Sequence, residues 1–356
     1  MELKTDSQNL LELLQTNKKL IDETISDFLP RSSNTKEIEV LYEMMRDYPG
    51  RGGKGIRGSL CLLWCELFSG RKRNAVVTAA ALELFQNWIL VHDDIEDASE
   101  IRRGLPTLHK KFGVELAINA GDALHGKMWE LVLRNRSVVG INVTLDILLE
   151  FTRMLNETTE GQQMELAWNS SNDWQIEEPD YLLMVTKKAA WYTCISPCRL
   201  GMLLSSLGRT PEFSEKMERI IEFGTNLGIA FQIIDDILNL TADESKYGKE
   251  ILGDLYEGKR TLILLHLLRN LEVDQRKRVI EALSKPRLSK TDQEMKWVFQ
   301  LMKDNGSIDY ARTVAADHSA SAMKMFEQIT KESSRLHPRI YEQTRNLLEY
   351  LTSRDY

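Results

Sequence analysis

The sequence is poor in the residues that form tight turns. Its 356 residues include only 20 glycines and 8 prolines, so few positions favour the sharp reversals that join short strands. Stretches in which polar and apolar residues alternate are also missing. Apolar residues instead recur every three or four positions, as in residues 9–29 and 216–238, which is the period of an amphipathic helix. We therefore expect an all-α fold.

Breaks between the helices are predicted where proline, glycine, serine and asparagine cluster, at residues 29–35, 47–53, 168–180 and 283–292. None of these segments has the length or composition of a flexible linker. Chain length alone would favour about two domains. The sequence shows no internal repeat of fixed period, so a repeat architecture is not expected.

Cysteine is scarce, and its spacing argues against metal binding. The four cysteines form two pairs, Cys61 with Cys65 and Cys194 with Cys198. Structural zinc sites usually have cysteines separated by two residues or histidines nearby, and both features are lacking. We expect four buried free thiols in a reducing cytoplasm.

The sequence also lacks a net positive charge and long apolar runs. The net charge of −7 argues against a general nucleic-acid-binding protein, although local cations and metal ions can still attract anionic substrates. No uncharged apolar stretch approaches the roughly 18 residues of a membrane-spanning helix, and the polar N-terminal residues contain no apolar signal core. We expect a cytoplasmic protein without a transmembrane segment.

The sequence does contain an acidic motif, DDIED, at the end of an apolar run. Asp93 and Asp97 are four residues apart, so on a helix their carboxylates lie on one face, about one turn apart. Asp94 points about 100° away and is expected to support them. Oxygen ligands without histidine or cysteine favour Mg²⁺ first and Mn²⁺ second.

A similar motif, IIDDILN, ends a second apolar run. Gln232, Asp235 and Asn239 share one helix face by their spacing. A single motif of this type is often only a solvated acidic helix end. Two copies, each following an apolar helix, favour two half-sites that bind a phosphorylated substrate through metal ions.

Basic residues accompany both motifs. Lys54 and Arg57 follow a glycine-rich turn near a helix start, where cations oppose the helix dipole and a bound anion explains them better. The remaining cations of this group are Arg102, Arg103, Lys187, Lys188, Lys249 and Lys259. Each alone could be a surface charge. Together they bring positive charge to both groups of carboxylates.

These residues lie in the order found in one enzyme family. The motifs are GGKGIR, HDDIED followed by RRG, GDAL, EGQQMEL, KKAAWYT, FQIIDDIL and GDLYEGKRT. They fall within residues 50–265, and their number and order make the pattern highly specific. The chain resembles the polyprenyl synthetase family of trans-isoprenyl diphosphate synthases, which includes farnesyl and geranylgeranyl diphosphate synthases.

The resemblance implies a fold and a reaction. The fold is a single domain over residues 1–356, an antiparallel helical bundle around a central cavity, usually assembled as a homodimer. This replaces the expectation of two domains. In the reaction, isopentenyl diphosphate condenses with a C5–C15 allylic diphosphate to give a C15–C20 prenyl diphosphate, and diphosphate and a proton are released. Three Mg²⁺ ions would bridge the two aspartate motifs to the allylic diphosphate.

The resemblance also implies roles for individual residues. The metal ligands would be Asp93, Asp97 and Asp235, supported by Asp94, Asp236 and Asn239. The cations on the allylic diphosphate would be Arg102, Lys188, Lys249 and Lys259. The pocket for isopentenyl diphosphate would contain Lys54, Arg57, Gln86 and Arg103. Direct catalytic roles would belong to Arg102, Lys188 and Gln232, with the Gln232 amide near the reacting carbons.

Two positions depart from the family pattern. Asn239 replaces the third aspartate of the second motif, although an amide oxygen can still coordinate a metal ion. Ala189 stands where a threonine usually follows the lysine. The hydroxyl that helps to steady the carbocation is therefore lost, while the backbone carbonyl remains. We expect these changes to affect rate or selectivity and to leave the reaction class unchanged.

The apolar run before Asp93 would form the wall of the chain-elongation pocket, with Trp88, Phe85 and Ile89 as chain-length residues. In the family, a bulky aromatic residue five positions before the first motif stops growth early, which favours Trp88. An ideal helical wheel places Phe85 about 80° from Asp93 and Trp88 about 140° from it, which favours Phe85. Either ring predicts a short product, whereas a longer product stays open if both rings are ordinary core residues.

Two other functions share parts of this pattern. A terpene cyclase on the same fold would keep the first aspartate motif but lack GGKGIR and the second double aspartate. A non-catalytic subunit of a heteromeric synthase would have lost aspartates or basic residues. The chain retains nearly all of these residues, which disfavours both alternatives.

Overall fold

The computed structural model describes residues 6–207, 211–242, 250–331, 333 and 336–353. Its α-helices are α1 (Asp6–Phe28), α2 (Lys36–Gly50), α3 (Ile56–Leu67), α4 (Lys72–Glu96), α5 (Leu108–Phe112), α6 (Val114–Arg134), α7 (Arg136–Val139), α8 (Ile141–Ser170), α9 (Glu178–Val185), α10 (Ser196–Leu203), α11 (Pro211–Thr241), α12 (Gly253–Glu257), α13 (Leu262–Asn270), α14 (Val273–Leu283), α15 (Asp292–Asp304), α16 (Ser307–Lys331) and α17 (Pro338–Thr352). A π-helix (Thr186–Ile195) joins α9 to α10, and a 3₁₀ turn (Arg287–Ser289) precedes α15. The all-α expectation is confirmed.

One small exception is a β-hairpin formed by β1 (Ile101–Arg102) and β2 (Leu105–Pro106). Its two-residue strands are too short to leave an alternating pattern in the sequence. Arg103 and Gly104 form the turn of the hairpin with positive φ angles of 53° and 74°. The hairpin directly follows α4 and determines where Arg102 points.

The predicted breaks agree closely with the ends of the helices. Residues 29–35 separate α1 from α2, and residues 171–177 separate α8 from α9. The break predicted at residues 47–53 begins only after Gly50, because α2 continues through Pro49 to that residue. Glycines at 52, 53 and 55 then adopt positive φ angles before α3 begins, as their lack of a Cβ permits.

Helix α4 is the central helix of the first half of the bundle. It is apolar and long enough to resemble a membrane span, but 72% of its most apolar window is buried inside the protein. It packs against α1, α2, α3 and α6. Its apolar composition is therefore explained by burial in the protein core. The acidic motif lies at its C-terminal end.

The π-helix is held between α8 and α11. Two glycines allow this close packing, because a side chain at Gly161 of α8 would collide with the Lys188 backbone and one at Gly228 of α11 would collide with Ala190. Wide helical turns of this type often occur at functional sites. Here the π-helix carries Lys188 and Ala189 to the bundle interior.

The four cysteines are buried and unpaired by disulfides. Cys61 and Cys65 lie on α3, which packs against α10 and thus against Cys198. Burial raises the pKa of the Cys65 thiol to about 12 and raises the pKa values of Cys61 and Cys198 as well. These thiols remain protonated and act as small apolar side chains.

Candidate active site

A cavity of about 240 Å³ opens where the ends of α4 and α11 meet α8, α9, the π-helix and the segment 250–261. Asp93 and Asp97 of the first motif line it together with Asp235, Asp236 and Asn239 of the second. The two aspartate motifs, far apart in the sequence, therefore lie in the wall of one cavity.

The first motif is located at the C-terminus of α4. The helix ends at Glu96, and the Asp97 N–H donates to the Asp93 carbonyl at 2.8 Å. Carboxylates at this position face the negative end of the helix dipole and need nearby cations. Lys188 Nζ lies 3.4 Å from Asp93 Oδ1, and Lys259 Nζ lies 2.9 Å from Asp97 Oδ2. Two of the predicted substrate-binding cations thus contact the predicted metal ligands directly.

Asp94 points away from the first two carboxylates, as its spacing predicts. It is fully buried, and Arg102 donates to it through two nitrogens, with Nε at 2.9 Å from Oδ1. The Tyr48 hydroxyl donates to the other Asp94 oxygen at 2.5 Å. A third contact of Arg102 places its guanidinium 3.5 Å from Asp93. Asp94 therefore fixes the hairpin and holds Arg102 at the edge of the cavity.

Acidic residues are crowded around the first motif. Lys188 also pairs with Glu165, and Lys259 pairs with Glu257 at 2.7 Å. Burial raises the pKa of Asp97 to about 7, although the positive charge of Lys259 opposes the shift; the negative charges of Asp93 and Glu257 add to it. The two lysines do not fully neutralise these carboxylates, so a further cation at this end of the cavity would be stabilised.

The second motif has its own hydrogen-bonding partners. The Tyr181 hydroxyl donates to Asp236 at 2.7 Å, and Gln232 Nε2 donates to its other oxygen at 2.8 Å. Burial raises the pKa of Asp236 to about 8, with a contribution from Asp254, while the two hydrogen bonds oppose the shift. The Gln232 amide lines the cavity in a fixed orientation.

Asn239 connects the second motif to the segment that follows it. Its side-chain oxygen accepts the Asp254 N–H at 3.1 Å, and its Nδ2 donates to the Glu250 carbonyl at 3.4 Å. An aspartate could not make the second of these bonds. A carbonyl oxygen has two lone pairs, so metal coordination by Asn239 stays a prediction. Lys249 lies outside the described residues.

A second group of cations is located beside the hairpin. Arg57 donates to Thr193 Oγ1 at 2.8 Å and lies over the Tyr192 ring. With its amide oriented to face Arg57, Gln86 accepts from Arg57 Nη1 at 2.8 Å. Arg103 donates to the Tyr48 carbonyl at 2.7 Å. Three of the four residues predicted to bind isopentenyl diphosphate therefore lie together beside the hairpin.

The charge in this region is unbalanced. Burial lowers the pKa of Arg103, and the neighbouring guanidinium groups of Arg102, Arg57 and Arg51 lower it further, while Glu83 raises it. Such crowding of cations is typical of an anion-binding site. Lys54 is placed differently, since its ammonium donates to the Tyr350 hydroxyl of α17 at 2.9 Å.

The three predicted chain-length residues have different surroundings. Trp88 and Ile89 line the cavity, whereas Phe85 does not. Phe85 is fully buried and packs edge-on against Trp88, with ring centroids 5.4 Å apart. It also contacts Tyr192 at 6.1 Å. The helical wheel favours Phe85, but the large indole of Trp88 reaches the cavity while Phe85 is directed into the core.

Several functional neighbours were not assigned from the sequence. Glu165 lies within the EGQQMEL motif, and Asp254 and Glu257 lie within the GDLYEGKRT motif. These motifs could therefore have pointed to the three acidic residues. Tyr48 and Tyr181 lie outside all of the motifs. They contact Asp94 and Asp236 only because distant helices pack together.

The sequence also matches the profile of a known family, described as polyprenyl synthetase, over residues 38–302. The chain belongs to the polyprenyl synthetase family. Among its relatives in this family, a geranylgeranyl diphosphate synthase of Sulfolobus acidocaldarius is 35% identical over 87% of the chain and 90% of the relative. A geranylfarnesyl diphosphate synthase of Natronomonas pharaonis is 29% identical over 99% of the chain and all of the relative.

A solved structure of the polyprenyl synthetase family is similar over nearly the whole chain. It is the crystal structure of a geranylgeranyl pyrophosphate synthetase from Pyrococcus horikoshii, with a TM-score of 0.84 and 31% identity over 99% of this chain and 100% of that one. The resemblance inferred from the motifs is thereby confirmed, as are the all-α fold and the enzyme class, a prenyltransferase. The single domain over residues 1–356 stays a prediction.

Proposed function

We propose that this protein is a short-chain trans-prenyl diphosphate synthase that adds isopentenyl diphosphate to allylic diphosphates of 5 to 15 carbons, with geranylgeranyl diphosphate as its main product. The supporting observation is that carboxylates of both motifs, Lys188 and Lys259 line one end of a cavity that Trp88 also lines. Relatives named for geranylgeranyl and geranylfarnesyl diphosphate support a short product.

The residues fit a divalent cation as cofactor. The donors are carboxylates and one amide, a set that favours Mg²⁺, with Mn²⁺ as the alternative. Asp93, Asp97 and Asp235 would hold the ions, which would stabilise the charge that develops on the leaving diphosphate. Among the described residues, no group of three or more carboxylate, histidine or cysteine side chains is close enough to bind one ion. The diphosphate oxygens of the substrate would therefore complete the ligand sets.

The protein's own cations position the allylic diphosphate. Lys188, Lys259 and Arg102 now pair with Asp93, Asp97 and Asp94. A diphosphate between the motifs would replace the two lysine pairs with charge-assisted hydrogen bonds to phosphate oxygens, while buried Asp94 keeps Arg102 in place. The positive groups are then in place before the leaving group departs, which is how preorganised charge lowers a barrier.

The second substrate would bind beside the hairpin. Arg57, Arg103 and Gln86 lie together there, and the guanidinium groups of Arg102, Arg57 and Arg51 add to the effect of burial in lowering the pKa of Arg103. The double bond of isopentenyl diphosphate attacks the allylic carbocation, and a proton is then lost, with the released diphosphate as the base. The apolar wall would exclude water from the cation, and the Gln232 amide would lie near the reacting carbons.

The proposed assembly is a homodimer. Helices α6, α7 and α8 expose apolar side chains that no other described element covers: Val114, Leu116, Ile118, Leu133, Val138, Ile141, Leu145 and Leu149. Exposed apolar side chains on neighbouring helices often mark an interface, and a second copy of the chain would cover them symmetrically.

The test is direct. Purified protein is incubated with Mg²⁺, isopentenyl diphosphate and the C5, C10 or C15 allylic diphosphate, and the products are identified by mass. We expect elongation to C20 from each primer. Failure with every primer would contradict the proposal. Hydrocarbon release without isopentenyl diphosphate would indicate a cyclase, and activity only with an added second subunit would indicate a non-catalytic partner.

A further inference from the structure

The indole ring of Trp88 lies between the cavity and helix α6. Trp88 lines the cavity, whereas His125 of α6 lies outside the lining. The His125 imidazole stacks on the Trp88 ring with the two centroids 4.1 Å apart and the planes 14° from parallel. This is the most closely parallel ring pair in the described part of the chain, and it is located directly behind the residue predicted to end chain growth.

His125 is itself held in one orientation. Trp129, one turn further along α6, donates its Nε1–H to His125 Nε2 at 2.9 Å. The imidazole is therefore the tautomer with its proton on Nδ1. Burial lowers the pKa of His125, and His92 lowers it further while Asp122 opposes the shift. A neutral ring can keep accepting the hydrogen bond.

Trp129 continues the contact to a third helix. Its ring meets Phe151 of α8 edge-on, with centroids 6.3 Å apart, and Phe151 is fully buried. Trp88, His125, Trp129 and Phe151 thus form a column of rings across α4, α6 and α8. We call these four side chains the ring column.

The position of Trp88 depends on this packing. Its buried Nε1 has no hydrogen-bond partner among the described residues, so no polar contact fixes the indole. The other rings that touch it, Phe85 and His92, do so edge-on at 5.4 and 5.9 Å. Among the aromatic rings of the described residues, His125 alone stacks on the face of the indole. Removal of the His125 ring would leave a gap behind the indole, into which the indole could turn because no hydrogen bond holds it.

We propose that His125 and Trp129 are positioning residues that set product length, because they hold the Trp88 ring across the path of the growing chain. This inference rests on the proposed synthase function and names a specificity device of the same site. Neither residue would touch the reacting atoms. Their effect would be on the length at which growth stops.

The test compares products from the C15 primer with excess isopentenyl diphosphate. His125→Ala removes the stacked ring, and we expect the ratio of C25 and longer products to C20 product to rise about tenfold or more, since small changes in an apolar pocket alter selection by 10- to 200-fold. His125→Phe restores a flat ring and should return the ratio towards that of the wild type. Trp129→Phe keeps an aromatic ring but removes the hydrogen-bond donor and part of the ring's volume, and should give an intermediate ratio. The rate of the first addition should stay within about twofold of wild type in each case.

A matched control is available in a second stacked pair. His266 lies 4.3 Å from Tyr310 with planes 22° apart, and neither residue lines the active-site cavity. His266→Ala should leave product length unchanged. Circular dichroism and thermal unfolding of each variant check that it is folded.

Two outcomes would overturn the proposal. If Trp88→Ala lengthens the product but His125→Ala and Trp129→Phe do not, Trp88 stops the chain without the ring column. If none of the variants alters the product, the end of the pocket lies elsewhere. Failure of the proposed function is distinguishable, because the wild type would then elongate none of the primers in the same assay.

Discussion

At the residue scale, Trp88 and Phe85 are neighbouring aromatic residues with different surroundings, so their substitution should have different effects. Trp88 lines the cavity, whereas Phe85 is fully buried between Trp88 and Tyr192. Trp88→Ala should lengthen the product. Phe85→Ala should chiefly lower the free energy of unfolding, by about 3–5 kcal/mol, because it leaves a hole in the core. Product masses and denaturant unfolding of the two variants measure these effects.

The opposite pattern of effects would contradict this assignment of the two rings. Longer products from Phe85→Ala, with no change from Trp88→Ala, would show that Phe85 ends the pocket. The double variant adds a further check, because substitutions at contacting residues are generally not additive.

At the scale of elements, the short helix α12 is held in place by buried cations. Lys290 donates to the Leu255 and Tyr256 carbonyls at 3.0 and 2.8 Å. Arg287 pairs with Glu250 and Glu257. These contacts fix the segment that ends in Lys259, whose ammonium reaches Asp97. The 285–290 region, which is distant from the motifs in sequence, therefore helps to position an active-site cation.

Lys290→Met should consequently weaken binding of the allylic substrate. We expect its KM to rise roughly tenfold, since hydrogen bonds to charged groups contribute about 1.5–3 kcal/mol each and part of that loss would reach Lys259. The KM for isopentenyl diphosphate should change little, because Arg57 and Arg103 are held by other partners, Thr193 and the Tyr48 carbonyl. Steady-state kinetics with each substrate varied in turn provides the measurement.

Lys285→Met is the matched control for this substitution. Lys285 pairs with Glu294 at the protein surface, and exposed pairs contribute only about 0–1 kcal/mol. Equal rises in both KM values, or the same effect from Lys285→Met, would contradict the positioning role of Lys290.

Lys290 should also make stability depend on pH. Burial, together with the charges of Arg260 and Arg287, lowers its pKa from 10.5 to about 8, although Glu257 opposes the shift. Between these two pH values the unfolded chain binds more protons at this residue than the folded chain, so stability contributed by this site increases as pH rises. The free energy of unfolding of the wild type, relative to Lys290→Met, should therefore increase from pH 8 to 10.5. Urea titrations at several pH values test this, and a flat difference would contradict it.

At the scale of the whole molecule, helices and motif residues were predictable and long-range partners were not. The three-to-four spacing of apolar residues depends on local geometry, so α1 and α11 could be placed from the sequence. The contacts of Tyr48, Tyr181 and Lys290 arise only when separate helices pack, and no local pattern encodes them. The ring that faces the cavity, Trp88 or Phe85, likewise depends on how α4 is oriented within the bundle.

The assembly of the molecule is the remaining prediction at this scale. Ile141, Leu145 and Leu149 repeat every four residues along α8 and are 60%, 51% and 66% exposed. They form one apolar stripe beside exposed residues of α6, and a stable dimer needs about 800 Å² of buried surface on each partner. We expect the protein to have a mass of about twice 41.0 kDa in light scattering.

Leu145→Glu with Leu149→Glu should give a folded monomer, because charged residues in the centre of such an interface are strongly disfavoured. Leu288→Glu, at a residue 96% exposed on the distant 3₁₀ turn, should remain dimeric. A wild type that elutes at the monomer mass would refute the dimer.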